Sequence, residues 1–182
     1  MRILPPTVDD AEVLTDLHLD VWDEAYTGLV SSEILAARRQ ERPERIERWR
    51  TILAETSSTT LAWDDAGQLL GFASTGTGRD EDQEYLPGLE VMALYVRARA
   101  YGRGVGWALL DAVVGSAAAY LWVLDGNQRA ISFYERQGFR FDGATKPEGP
   151  PLDPGGVSEW MAGEIKLGWP LPRRWRGAVR RS

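Results

Sequence analysis

Between the near-continuous apolar run Leu89 to Val96 and an apolar, helix-like stretch beginning at Val105, the chain places three glycines within five residues: Tyr101-Gly102-Arg103-Gly104-Val105-Gly106. The run reads as a strand buried on both faces, and a strand that passes through glycines directly into a helix belongs to an α/β sheet. Backbone N–H groups at a helix N-terminus attract anions, and glycine lets phosphate oxygens approach with no Cβ in the way. On its own, the loop reads either as a phosphate cradle or as a tight strand–helix turn. A dinucleotide fingerprint would need glycine at Trp107, and a P-loop would need Gly-Lys followed by Ser or Thr, so both motifs fail.

The elements around this unit follow from hydrophobic period. Thr7-Val8-Asp9-Asp10 has capping-box spacing and opens an apolar row at Ala11, Leu14, Leu17, Val21, Trp22 and Ala25, which predicts a helix over about 8–25. Tyr26-Thr27-Gly28 breaks it. Ser31-Ser32-Glu33 starts a second, short helix, and Pro43 fits the first turn of a third through Ile46, Trp49, Ile52 and Leu53. Charges alternate in sign from Arg38 to Arg50, which reads as a solvated helical face.

The period then becomes strand-like. Thr59–Trp63 and Leu69–Ser74, joined at Asp64-Asp65-Ala66-Gly67, predict a hairpin. An acidic loop, Asp80 to Glu84, leads to Leu89–Val96 as the central strand. Beyond the glycines the pattern predicts a helix over about 105–119, a strand over 120–124, a helix over about 128–137 and a strand from Phe139. Pro147 to Gly156 reads as a Pro/Gly-rich loop and Val157 to Leu167 as a last strand. The length of 182 residues suits one domain, expected over 1–170, with a loosely held basic tail over 171–182.

Composition removes several chemistries. With no cysteine there are no disulfides, thiolate metal sites or cysteine nucleophiles, and with His18 as the single histidine, hydrolase triads and multi-histidine metal centres are poor readings. No metal is expected. The longest apolar run, Ala117 to Leu124, is far short of the roughly 20 residues of a membrane span, so the expected location is the cytoplasm, with no membrane partner. Net charge is −6, but five arginines (173, 174, 176, 180 and 181) fall in the last ten residues with no acid, leaving −11 over residues 1–172. A body that acidic repels nucleic acid and attracts cations.

Further chemistry-bearing residues follow the central unit. Asn127 is placed to cap the helix after Asp125-Gly126, and Gly138 falls where a left-handed C-terminal residue belongs. Tyr134, seven residues after Asn127, lies two turns along the same helical face. The pair can line a groove, or be no more than a capped helix with a core tyrosine. Leu94-Tyr95-Val96, the run Gly102-Arg103-Gly104-Val105-Gly106 followed by Ala108-Leu109-Leu110, and the segment Asn127 to Phe139 stand in the order and spacing of the central motifs of the GNAT superfamily. Over residues 89–141 the chain resembles these acetyl-coenzyme A-dependent N-acetyltransferases, and the preceding helix and hairpin order is similar too.

The resemblance implies a single α/β domain whose mixed central sheet, flanked by helices, splays between the strands ending near Val96 and Leu124, with acetyl-coenzyme A in the splay. It implies that the backbone of Leu94, Tyr95 and Val96 holds the acetyl and pantetheine arm. It also implies that the amides from Gly102 through Arg103, Gly104, Val105 and Gly106 to Trp107 hold the pyrophosphate. Asn127 would contact the pantetheine or phosphate region, and Tyr134 would protonate the departing thiolate. One departure stands out: Tyr101 occupies the place where the family usually has Arg or Gln, so Arg97, Arg99 or Arg103 is expected to supply the cation.

Acyl transfer to an amine also needs a proton acceptor. Glu90 is the candidate, in an apolar strand with Met92 and Leu94 on its face, where a carboxylate is costly to bury and drawn to a proton. The alternative is a glutamate at the solvated end of the strand, paired with an arginine. Strand 120–124 has Trp122 near the position where some family members carry a glutamate base. His18 shares a helix row with Leu14 and Trp22 and reads as a buried or boundary residue. Trp22 and Tyr26 are either core or the aromatic wall of the acceptor site; in the family the segment after the first helix borders the acceptor, which favours the second reading. Trp160, Trp169 and Trp175 are fold packing or a homodimer contact. The expected acceptor is a cationic small-molecule primary amine, a polyamine or an aminoglycoside-like antibiotic. The rival readings are a peptide amine and a non-catalytic coenzyme A-binding sensor.

Overall fold

The computed structural model describes residues 1–55, 58–78, 87–124, 126–148 and 162–168. The chain falls into two compact units, one made of Met1–Gly76 and Met92–Gly115, the other of Thr77–Val91 and Ser116–Ser182.

The first unit opens with β1 (Arg2–Leu4), a short strand with no apolar period to announce it, which pairs antiparallel with β2 at Arg2↔Trp63 and Leu4↔Leu61. A single 3-10 turn, Val8–Asp10, precedes α1 (Ala11–Tyr26). At its entry the Asp10 carboxylate accepts from both the Thr7 amide (2.7 Å) and the Thr7 hydroxyl (3.0 Å), the anchoring that the sequence spacing predicts. Gly28, at φ +87°, turns the chain out of α1 towards α2 (Ser32–Gln40) and α3 (Arg42–Ala54), the latter with proline in its first turn.

β2 (Ser58–Trp63) and β3 (Leu69–Thr77) form the expected antiparallel hairpin. β4 (Leu89–Val96) lies beside β3, completing the order β1-β2-β3-β4 in this unit. The two faces feed two cores, and a register shift beside Leu70, where Ala62 pairs with Gly71 but Trp63 with Leu69, interrupts the strict alternation of β3. Leu61, Leu69 and Phe72 pack with Leu14, Leu17 and Val21 of α1, while Ala62, Leu70 and Ala73 pack with Ala100, Val105 and Leu109. The second group includes α4 (Val105–Val114), which is shorter than its apolar pattern suggests because Gly115, at φ +54°, ends the helix with its amide on the Asp111 carbonyl.

In the second unit, Leu89 and Glu90 at the start of β4 pair in parallel with Ala119 and Tyr120 of β5 (Ala119–Leu124). After α5 (Gln128–Arg136), β6 (Arg140–Glu148) and β7 (Ala162–Gly168) complete the order β4-β5-β7-β6, with β7 antiparallel to both neighbours. Parallel and antiparallel pairs make this a mixed sheet.

Several expectations are corrected. β4 is not buried on both faces: Glu90 and Val91 are, but Met92 is 39% exposed and Leu94 to Val96 are half-buried. Pro147 and Glu148 lie in β6, not in a loop. Ile52 is exposed because Trp49 and Leu53 supply the packing face of α3. The run from Arg38 to Arg50 is not wholly solvated, since Arg38 and Arg45 are buried. The Asp80–Glu84 loop, Asp125, the strand residues expected over 157–161, Trp160, Trp169, Trp175 and the tail lie outside the described residues.

Candidate functional site

The glycine loop lies within the first unit. After Val96, a 3-10 turn at Ala98–Ala100 leads to Gly102 and Gly104, both left-handed at φ +73° and +80°, and Gly104 caps α4. An L-residue at either position would be strained, which explains the glycines. A Cβ built on either one meets nothing within 4 Å among the described residues beyond its chain neighbours, so the loop's face is open to them. The first amides of α4 have no partner within the helix and are available to an acceptor on that face. Trp107 (56% exposed) and Tyr101 stand out from the loop. Of the three candidate arginines, Arg97 is engaged by Asp20 (2.5 Å) and Glu24 (3.0 Å) of α1, and Arg99 lies 3.8 Å from Asp64. Arg103 is exposed and makes no ion pair among the described residues, which leaves it as the cation nearest in sequence to the open amides.

The segment Leu94–Val96 is held tightly from behind. A Cβ on Gly71 of β3 would lie 2.4 Å from the Tyr95 carbonyl oxygen, and the Arg97 amide donates to the Leu70 carbonyl at 2.8 Å. The Glu24 carboxylate accepts from the Ala98 amide at 2.5 Å, so α1 fixes the start of the loop.

α1 also presents Trp22 and Tyr26, whose ring centroids are 4.5 Å apart. Both are buried, and the indole N–H of Trp22 has no hydrogen-bond partner among the described residues. The Arg38 guanidinium lies 3.5 Å over the Trp22 ring, a cation–π contact that sequence reasoning missed. Arg45 donates from Nε to the Arg38 carbonyl (3.3 Å) and pairs with Glu41 (2.8 Å). Burial, with Arg45 nearby, brings the Arg38 guanidinium down to about 10; burial lowers Arg45 too, despite Glu41. His18 is ringed by Trp22, Trp49, Phe72 and Tyr95, the last at 5.0 Å between centroids. Burial, then the charges of Arg38 and Arg45, hold its pKa well below the usual imidazole value, so it is neutral at pH 7. His18 is thus the boundary residue expected from its helix row.

In the second unit, Glu90 is 2% exposed, against the reading of a solvated strand end. The Tyr120 hydroxyl donates to Glu90 Oε2 at 3.3 Å, and Tyr120 is itself fully buried. Sequence reasoning missed this partner because it depends on the parallel register that sets Glu90 opposite Tyr120. Gly78 makes room for the phenol: a Cβ there would lie 2.7 Å from the Tyr120 hydroxyl oxygen. Asn127 caps α5 as expected, its Oδ1 accepting from the Ala130 amide at 3.2 Å. Tyr134 is buried edge-on to Phe133 and Phe139, and Gly138 adopts the left-handed conformation that ends the helix. Among the described residues, no three acidic or histidine side chains gather as a metal site would require.

The sequence profile of the acetyltransferase (GNAT) family matches residues 18–139. The uncharacterized N-acetyltransferase YuaI of Bacillus subtilis is 25% identical over 169 residues, spanning 90% of this chain and 89% of its own. The peptidyl-lysine N-acetyltransferase YiaC of Escherichia coli is 37% identical over 78 residues, or 42% of this chain and 47% of its own. Among solved structures, the PaiA N-acetyltransferase of Thermoplasma acidophilum, crystallised with coenzyme A, shares the fold with a TM-score of 0.63 at 16% identity. That match covers 91% of this chain and 96% of PaiA. The left-handed glycine turn before α4, the mixed sheet flanked by helices and the family profile agree: the chain belongs to the acetyltransferase (GNAT) family, as an N-acetyltransferase.

Proposed function

We propose that the protein transfers the acetyl group of acetyl-coenzyme A directly to a primary amine, with residues 1–170 as the catalytic domain. The observation that carries the coenzyme assignment is the open, left-handed Gly102–Gly104 turn against the first amides of α4. These groups suit a pyrophosphate: donors with no partner inside the helix, and no Cβ on the approach side. The backbone of Leu94, Tyr95 and Val96 holds the acetyl arm, and Arg103 supplies the cation that Tyr101 does not. Asn127 keeps its amide nitrogen for the coenzyme while its oxygen caps α5.

Acetyl-coenzyme A, when bound, supplies an acyl group on a thiol leaving group. Glu90 accepts the proton the amine must lose as it forms the new N–C bond, with the Tyr120 hydroxyl bonded to the carboxylate and fixing its orientation. Tyr134 gives its hydroxyl proton to the thiolate as the C–S bond breaks. Trp22 and Tyr26 form the acceptor wall.

The acidity of residues 1–172 favours an ammonium-bearing acceptor, which on charge alone suits a polyamine or an aminoglycoside-like antibiotic. The buried Arg38 over the Trp22 ring weighs against a polycation on that wall. A peptide lysine is the second reading, supported by the resemblance to YiaC over part of the chain. The test is thiol release from acetyl-coenzyme A against a panel of small amines and lysine peptides, beside thermal shifts with acetyl-coenzyme A, NAD and ATP. Acetyl-coenzyme A alone is expected to give a large shift. Equal shifts from all three would remove the coenzyme assignment, and binding with no release against any amine would favour the sensor reading.

A further inference from the structure

Resting on the reading that Leu94 to Val96 hold the acyl arm of the coenzyme, we propose that Met92, seated on Gly76, is the specificity-determining residue that ends the acyl site. The enzyme then takes acetyl-coenzyme A and discriminates against longer straight-chain acyl groups.

Gly76 lies in β3 and Met92 in β4 beside it, both within the first unit. A glycine inside a strand weakens it and marks a special backbone conformation or a close approach by another group. Gly76 does not adopt a positive φ, so its backbone does not demand glycine. Among the described residues, and beyond its chain neighbours, a Cβ there would meet only the Met92 thioether, 2.9 Å from Sδ and closer still to Cε. The glycine is explained by the seat it gives to one side chain. That side chain is nonetheless 39% exposed, so its other flank is open to a ligand. Methionine is flexible and fills whatever gap it is offered; a seat beneath it fixes where the thioether stands.

The layout of the coenzyme gives the open flank a use. Its phosphates belong at the Gly102–Gly104 turn that follows β4 and its arm along Leu94–Val96, so from phosphate to thioester it runs backwards along the strand. An acyl chain longer than acetyl continues in that direction. Met92 stands two residues beyond Leu94, about 7 Å along an extended strand. Ala93, between them, packs against the core that includes Leu14, Leu17 and Val21 of α1. Met92 is therefore the first open side chain past the arm. One methylene too many at an apolar boundary changes specificity by about 10–200-fold, which a thioether held in place can enforce by contact alone.

Calorimetric titration of the intact protein with coenzyme A and its acetyl, propionyl and butyryl thioesters tests the inference and needs no acceptor. The parent is expected to bind butyryl-coenzyme A at least tenfold more weakly than acetyl-coenzyme A, with propionyl-coenzyme A between them. Met92→Ala should bring butyryl and acetyl within about threefold and keep the melting temperature, because a side chain this exposed carries little of the core. Met92→Leu, of similar volume, should retain the parent's preference. Gly76→Ala displaces the thioether from its seat towards the open side and should widen the butyryl-to-acetyl ratio by at least threefold. In a Met92→Ala background the same substitution should leave the ratio unchanged, since Gly76 is a positioning residue that acts only through Met92.

Equal binding of the three thioesters by the parent would overturn the proposal and leave the coenzyme reading standing. A preference that survives in a folded Met92→Ala variant, or a Gly76→Ala effect that persists without Met92, would overturn it as well. Binding of none of the four ligands would overturn the coenzyme reading itself, and the proposal with it.

Discussion

The Tyr120 hydroxyl donates to Glu90 Oε2 across 3.3 Å in the interior of the second unit, where neither residue is more than 2% exposed. A buried carboxylate oriented by a phenol is what a proton acceptor requires, and it makes the two residues separable by experiment. Glu90→Gln keeps shape and hydrogen-bonding capacity, so the melting temperature should hold within a few degrees. Turnover at neutral pH should fall about 10²-fold and partly recover at high pH, where the amine arrives deprotonated. Tyr120→Phe should instead cost about 1–3 kcal/mol of stability by leaving a buried acceptor short of a donor, with a smaller loss of turnover. A Glu90→Gln variant that unfolds more easily yet turns over normally per folded molecule would make Glu90 structural.

Gly104→Val should abolish the thermal shift given by acetyl-coenzyme A. No atom of the described residues obstructs a side chain there, but at φ +80° an L-residue is strained, so the unliganded variant should lose about 1–2 kcal/mol. Calorimetry with and without the coenzyme separates the two losses, because a ligand at 100 times its dissociation constant adds about 2.7 kcal/mol to the parent protein. A variant still stabilised by that amount would place the pyrophosphate elsewhere.

Tyr134→Phe should leave the fold nearly untouched, since the ring contacts with Phe133 and Phe139 persist. Turnover should drop towards the lower end of the 10²–10⁴ range for general acid catalysis, because a thiolate with a reference pKa of about 8.5 already leaves tolerably. Single-turnover kinetics should show the drop in the chemical step, with coenzyme binding unchanged. Normal chemistry in that measurement would leave Tyr134 as a packing residue.

His18 gives a pH signature. Its folded-state pKa lies below the unfolded value of about 6.5, so the unfolded chain binds a proton that the folded protein refuses. Stability is therefore full above about pH 6.5 and is lost as pH falls from there towards the folded pKa, with a limiting slope of about 1.4 kcal/mol per unit. Denaturant unfolding between pH 5 and 7 should show that slope in the parent protein and a flatter one in His18→Phe. Equal slopes would assign the effect to other groups.

Period and spacing made most of the elements legible. The row from Ala11 to Ala25 and the alternation in Leu69–Ser74 were sufficient for α1 and the hairpin, and Asn127 and Gly138 marked both ends of α5. The shortest strand, Arg2–Leu4, has too few residues for a period and exists because β2 offers it an edge. The early stop of α4 was hidden because Ala117 to Ala119 read as good helix formers, while Gly115 decides the backbone. At the site, residues carried by a local motif were visible and those made by tertiary contact were not. Arg38 and Arg45 sit in an alternating-charge run, and only the packing of α2 and α3 against α1 turns them inward. In the same run Arg39 and Arg42 stay outside, paired with Asp20 and Asp16.

α1 places Asp20 and Glu24 on the start of the glycine loop, and Trp22 and Tyr26 on the proposed acceptor wall, within seven consecutive residues. One residue inserted into that stretch would rotate everything beyond it by about 100° and break the phase between the two jobs. Variants selected for a new amine should therefore keep the length of this helix fixed and accumulate their changes, including insertions, in α2, α3 and the turn at Gly28.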